Sequence, residues 1–438
     1  MSLMTAPVTA SAADRKPGGA SRVLRPELLR GTGPWTGVAL ATLIGVTMYS
    51  KADQWQQHWA ETTDLLRVAG LILGGPLAVA AGCWQGGRER RRGTEELRAT
   101  FARSRLRQTL VAAAPAALWP AAGYLVAAAG CLLATWPYTS GGHPYVSLIA
   151  ADAVAIASLG TLGFVAGRLL PWRLVAPLLA VLSYVVLAVP GYGRSSARWL
   201  DPALEYDSSL QAPLWWFGPA SALWTGGLAA SALLGFAARR RLTALLPLAL
   251  AAAAAVPLVT TGDGLWRQDP AAVRPVCDNG VPQLCVPAVD RNMLPAMRQA
   301  LAGVDAKLRG VPGAPERWVH YPVPPGPGDV SLPDRVDDTV RGRLTHPDLF
   351  ADSAVGALVD GADCASEGAD TPLDERASDI GIAVRQWLVP RGNFANSPAR
   401  GARPHRKRLE AMDAAQGRAY LTRYLGADRC DPAQVPAP

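Results

Sequence analysis

The segment 88–108, R-E-R-R-R-G-T-E-E-L-R-A-T-F-A-R-S-R-L-R-Q, holds eight arginines and three glutamates and is clamped between two long apolar runs, 65–85 and 109–136. A block so charged cannot enter hydrocarbon, whereas apolar runs of that length read as membrane spans. The bias of Lys and Arg toward cytoplasmic loops places the block inside the cell. That one assignment fixes the side of every other loop.

Seven apolar runs are readable: 33–50, 65–85, 109–136, 145–170, 174–190, 213–238 and 242–261. Each meets the roughly 17 residues that a crossing helix needs. Half of all residues are apolar, and they concentrate between about 35 and 260. Tryptophans 35, 84, 136, 172, 215, 216 and 266 fall near span ends, where amphipathic rings favour the headgroup zone, while Trp119 lies deeper and reads as a packing residue.

The charge follows the same geometry. With 88–108 inside, segments 1–33, 86–108, 168–173 and 239–241 carry eighteen basic and five acidic residues. Loops 51–67, 137–145 and 191–213 carry four and six, and the region from 262 onward carries 21 and 23. The formal net charge of +8 therefore comes from one face of the membrane. It reads as topology and contact with anionic lipid, not as a nucleic-acid surface. The expectation is a multi-pass protein of the cell membrane, amino terminus cytoplasmic and carboxy terminus outside.

Three regions follow: a cytoplasmic tail 1–33, a transmembrane domain 34–261 and an extracytoplasmic domain 262–438. Positions 1–19 are small and polar, and with no apolar core ahead of a cleavage-like site a removable signal peptide is not expected. The stretch 22–30 reads either as an interfacial amphipathic helix or as a basic flank. Asp152 is the one carboxylate inside a predicted span, and a headgroup-level residue is the favoured reading over a functional intramembrane charge. Beyond 262, helical spacing recurs in 291–309, 347–360, 371–388 and 404–425, with short strands at 284–289 and 317–321. The fold class is thus an all-α polytopic membrane protein of about seven transmembrane helices with a mostly α-helical (α+β) extracytoplasmic domain.

The cysteines divide in the same way. Cys83 and Cys131 lie in spans as small buried residues, whereas Cys277, Cys285, Cys364 and Cys430 lie in the region placed outside, where disulfides persist. Of the three pairings four cysteines allow, Cys277–Cys285 with Cys364–Cys430 is preferred. These cysteines with His320, His346 or His405 lack the spacing of a metal site, and Asp334, Asp337 and Asp338 read as a solvated loop. The chain has no phosphate loop, no H-E-x-x-H and no G-x-S-x-G, so no catalytic residues, metal or cofactor are assigned and an enzyme is not expected.

The arginine block, followed by an Ala-rich span with L-W-P-A-A-G-Y-L, resembles the link between the second and third spans in permease subunits of the type 2 ATP-binding-cassette exporter class. Gly93, Thr94, Glu95, Glu96 and Leu97 match the first half of that family's pattern R-x-x-G-T-x-E-L-L-x-x-x-P-x-S-R. Ser104 with Arg105 matches the second half, and Phe101 departs from it. The resemblance covers about residues 20–240. It implies a coupling helix in which Arg91, Arg92, Gly93, Thr94, Glu95, Glu96, Leu97, Arg98 and Arg105 meet a separate cytoplasmic ATP-binding subunit. It also implies a homodimer or heterodimer of membrane subunits. The alternative is a membrane-anchored extracytoplasmic binding or sensory protein without transport.

Overall fold

A computed structural model of the chain describes residues 26–29, 31–93, 104–170, 172–206, 210–332, 339–360, 375–392, 399–429 and 431–438. Most of 1–33, the residues Thr94, Glu95, Glu96, Leu97 and Arg98, the cysteines Cys364 and Cys430, and the aspartates Asp334, Asp337 and Asp338 lie outside them.

The apolar runs become helices α1 (Gly33–Ser50), α2 (Trp59–Gly86), α3 (Arg105–Thr135), α4 (Val146–Leu169), α5 (Val175–Ala188), α6 (Phe217–Ala237) and α7 (Leu245–Thr261). Among the described residues six helices, α2 to α7, are long and apolar enough to cross a membrane once the tight turns that continue three of them are included, giving spans Arg105–Tyr138, Val175–Tyr192 and Arg241–Leu265 for α3, α5 and α7. The chain is a multi-pass α-helical membrane protein. In α1 the polar groups of Thr36, Thr42, Thr47, Tyr49 and Ser50 dilute an 18-residue helix. Helix α2 begins at Trp59 and not near 65, so Arg67, counted above with a loop, is inside it and buried.

The bundle is held by backbone proximity. Lipid supplies no hydrophobic drive between helices, so small residues that let backbones meet become the adhesive. On α4, a side-chain carbon at Gly163 would stand 2.1 Å from the Val79 carbonyl of α2; one at Gly86 of α2 would stand 2.2 Å from that of Phe164. Helix α1 lies against α3 in the same manner, with Gly123 directly behind the Gly37 carbonyl. Trp119 of α3 covers Gly33 and donates from its indole to the Leu28 carbonyl at 2.9 Å, the packing role expected of it.

All the basic turns meet at one end of this bundle. Glu27 pairs with Arg88; Glu89 is clasped by Arg168 at the end of α4; Arg105 lies 5.1 Å from the ring centroid of Phe236 near the end of α6. Helix α1 starts at this end, beside Arg88, and finishes at the opposite one.

That opposite end carries the carboxy-terminal region. Strand β1 (Gln211–Pro213) pairs antiparallel with β2 (Trp266–Gln268), tying the entry of α6 to the exit of α7. Trp266 is buried there among Tyr145, Tyr206 and Phe217, so it is not the interfacial ring its position suggested. A mixed sheet follows in the order β3 (Pro275–Cys277), β4 (Gln283–Pro287), β5 (Arg317–Val319), β6 (Asp329–Ser331). Helices α8 (Leu294–Leu308), α9 (Pro347–Asp360), α10 (Glu375–Leu388), α11 (Ala402–Glu410) and α12 (Ala414–Gly426) pack with it around Met297, Leu301, Trp318, Val355, Ile380 and Tyr420. The reading of 404–425 as one helix is corrected: the chain breaks at Asp413, which caps α12 in a reciprocal box with Gln416.

Candidate functional site

Arg67 is almost fully enclosed, 2 % exposed, near the beginning of α2. Its Nε lies 3.7 Å from Asp152 Oδ1 on α4 and donates to the Pro202 carbonyl at 2.5 Å. The Tyr124 hydroxyl of α3 donates to the other oxygen of Asp152 at 3.1 Å. Three helices therefore converge on one carboxylate. Local sequence makes this fit: a side-chain carbon at Gly70 would stand 2.6 Å from the Tyr124 ring, so glycine is what admits the phenol. Gly70 also belongs to a π-turn, Ala69–Leu73, that interrupts α2 just after Arg67. Such widened turns recur at functional positions.

The connection between α5 and α6 closes the cluster from the opposite end. A short turn, Ser196–Leu200, delivers Asp201, whose Oδ1 accepts from the Ala203 N–H at 2.9 Å. Asp64, one turn before Arg67, accepts from the Tyr206 N–H at 3.3 Å. The Arg67 guanidinium also stands 5.6 Å and 5.3 Å from the ring centroids of Tyr206 and Phe217. Burial raises the Asp201 carboxyl to about 6, against the pull of the Ala203 N–H and the Arg67 charge.

Asp152 is 1 % exposed. Its reading as a headgroup-level residue is overturned, because it faces the bundle and holds a buried cation. Burying such a pair costs several kcal/mol per ion before the mutual attraction offsets it, and within membranes ionisable groups mark functional positions. The cluster is also incompletely matched. Arg67 Nη1 and Asp201 Oδ2 are buried with no hydrogen-bond partner among the described residues. One guanidinium thus lies at ion-pair distance from Asp152 and acts electrostatically on Asp64 and Asp201 as well.

A second polar joint binds the carboxy-terminal region to the same helix. His58, just ahead of α2, has Nε2 2.9 Å from Asp290 Oδ1 and Nδ1 3.2 Å from Glu61 Oε1, ionic contacts whose angles fall short of good hydrogen bonds. Gln57 donates to Asp290 at 3.2 Å, and His320 Nδ1 lies 3.8 Å from its other oxygen. Arg341 donates to Gln56 at 3.0 Å, and Asn292 donates to the Tyr138 carbonyl at 3.0 Å. Burial opposes charge on His58, but Glu61 and Asp290 overcome it and hold the imidazole well above its ordinary value. Burial would raise Asp290, yet His58 and His320 keep it below the usual carboxylate range.

The residues singled out from sequence are distributed elsewhere. Arg91 ends a short helix, Arg88–Arg91, with Arg92 and Gly93 exposed behind it. Arg91 folds back on Trp84, whereas Arg105 opens α3 and lies on α6, so the described ends of the loop are held by different helices. Cys277 and Cys285 form a disulfide across the directly paired positions of β3 and β4. Cys83 and Cys131 are free and buried. Among the described residues no group of three or more His, Cys, Asp or Glu side chains is placed to hold a metal. Arg67, Tyr124, His58 and Asp290 were not found from sequence. The one available signal was a carboxylate and an arginine a single turn apart at the head of an apolar run. No family model, curated protein or solved structure matches the chain.

Proposed function

We propose that this chain is a permease-like membrane subunit that works with a separate cytoplasmic ATPase docked on the 88–108 loop. In this reading α1 is a seventh crossing, the arginine end faces the cytoplasm and residues 262–438 lie outside. One observation carries the proposal. The loop that would be pushed joins α2 to α3, and those two helices supply Arg67 and Tyr124, which meet at Asp152 on α4. A displacement of the loop would reach a buried ionic joint at the other end of the bundle along α2 and α3. Rigid-body transmission of that kind needs a joint with discrete pairings, and the orphaned groups of Arg67 and Asp201 supply the alternatives.

Purification from native membranes tests this. The wild type is expected to retain an ATPase subunit, which the combined substitution Glu95→Lys, Glu96→Lys, Leu97→Ala releases without loss of folding. Asp152→Asn should keep the partner and lose its ATP turnover. Retention of the ATPase by the triple variant would sink the coupling model. Impermeant thiol labelling of intact cells should reach Val281→Cys and spare Arg92→Cys; the reverse pattern inverts the topology. A second reading, a sensory protein without transport, draws on the His58–Asp290 joint, through which a ligand on the carboxy-terminal region would act on α2. Absence of any ATPase from the wild-type preparation favours it.

A further inference from the structure

We propose that the cleft at the arginine end of α2, bounded by Trp84, Arg91, Trp172 and Arg173, binds the phosphodiester headgroup of an anionic lipid. The cleft is a cavity of about 80 Å³ where the ends of α2 and α4 meet the approach to α5, with Arg90, Leu170 and Cys83 also among its lining. That volume suits a phosphate group and not a whole lipid. The placement of Arg91 is built rather than accidental. Its guanidinium carbon lies 4.1 Å from the Trp84 ring centroid, and it donates to the Trp84 carbonyl. This fold-back passes over Gly87, where a side-chain carbon would stand 2.6 Å from Arg91 Nη1.

The electrostatics of the cleft favour an anion. Partial desolvation lowers Arg91 from arginine's ordinary value; Cys83 opposes this, while the charges of Arg173 and Arg92 add to it, so these guanidiniums repel one another. The described carboxylates at this end, Glu27 and Glu89, are engaged by Arg88 and Arg168. A phosphate would relieve the repulsion through charge-assisted hydrogen bonds, and basic clefts between membrane helices accept anionic headgroups.

Two further observations point to a lipid as the source of that phosphate. Trp84 and Trp172 are 49 % and 76 % exposed, as rings at headgroup depth are. Directly beyond the cleft, Leu174, Leu178, Val181 and Val185 are all exposed along one side of α5, a track for an acyl chain whose headgroup sits in the cleft. The inference rests on the membrane assignment alone and is independent of the ATPase reading.

Native mass spectrometry of the purified full chain, titrated with phosphatidylglycerol and with phosphatidylcholine, tests the site. Phosphatidylglycerol should bind tighter by about tenfold, and Arg91→Gln with Arg173→Gln should remove that preference. Arg240→Gln with Arg241→Gln, which deletes equal charge at the same end, should leave it intact. Should the arginine pair prove necessary for folding, Trp172→Ala removes an exposed ring and is expected to weaken phosphatidylglycerol binding with unchanged melting. Equal binding of the two lipids, equal loss in the two arginine pairs, or no effect of Trp172→Ala would each overturn the assignment. Competition by inorganic phosphate alone at lipid-like concentration would give the cleft to a free anion and overturn the lipid.

Discussion

Removing Arg67 takes from Asp152 the one cationic neighbour it has among the described residues, and removing Asp152 takes from Arg67 the carboxylate nearest to it, at positions where neither has access to water. Deleting one member of a buried pair costs about 3–5 kcal/mol, whereas replacing both by apolar groups of similar volume is close to neutral. Arg67→Met and Asp152→Leu should therefore each lower the thermal midpoint in detergent sharply, and the double variant should recover most of the loss. Additive losses would show that Arg67 is held chiefly by the Pro202 carbonyl and its aromatic neighbours. The pair was not legible in the sequence for a physical reason. Asp152 seen alone is a single polar group near a span end, cheap if it reaches headgroups. Its partner sits in T-T-D-L-L-R, a stretch polar enough to pass for a loop. What buries and pairs the carboxylate is a contact between distant segments, which local pattern does not encode.

At the scale of elements, the α2–α4 seam is the most exacting part of the bundle. Gly163 faces the Val79 carbonyl, a backbone atom that cannot rotate out of the way. Overpacking in a closed core costs about 1–3 kcal/mol where side chains can adjust, so Gly163→Leu should reach or exceed the top of that range in a thermal melt. Gly130 on α3 has nothing within 4 Å of where a side chain would begin, and Gly130→Leu should be silent. Equal effects of the two substitutions would mean that the glycines matter through helix propensity and not through close approach. The helices themselves were readable because apolar length is a property of the local chain: the predicted runs return as α1 to α7 within a few residues at most ends. Two boundaries failed, each instructively. Trp59 to Asp64 is polar because this turn faces the protein interior and the docked loop, not lipid. The break at Asp413 was written in D-A-A-Q, a capping signal masked by continuous helical spacing on both sides.

For the whole molecule, the question is how firmly the carboxy-terminal region is fixed to the bundle, and the joint at His58 makes that depend on pH. The groups that face His58 are Glu61 on α2, Asp290 ahead of α8 and, beyond Asp290, His320 after β5. His58 is raised in the folded protein, so its contribution is complete below the ordinary histidine value of about 6.5 and is lost as pH climbs through the raised value. Asp290 is lowered, so its contribution is complete above about 3.9 and is lost as pH falls through the lowered value. The joint is therefore tightest between about pH 4 and 6.5 and loosens on the alkaline side, where neutral imidazole leaves Asp290 buried with weaker compensation. Hydrogen exchange followed across pH should show protection of 55–62 and 288–293 falling together as His58 deprotonates. His58→Gln should abolish that alkaline step while keeping the fold, because glutamine offers a hydrogen bond that does not titrate. Protection that stays flat through the alkaline range in the wild type would mean that Gln56–Arg341 and Asn292–Tyr138 hold the region by themselves, and that the ionic contact is a consequence of docking and not its cause.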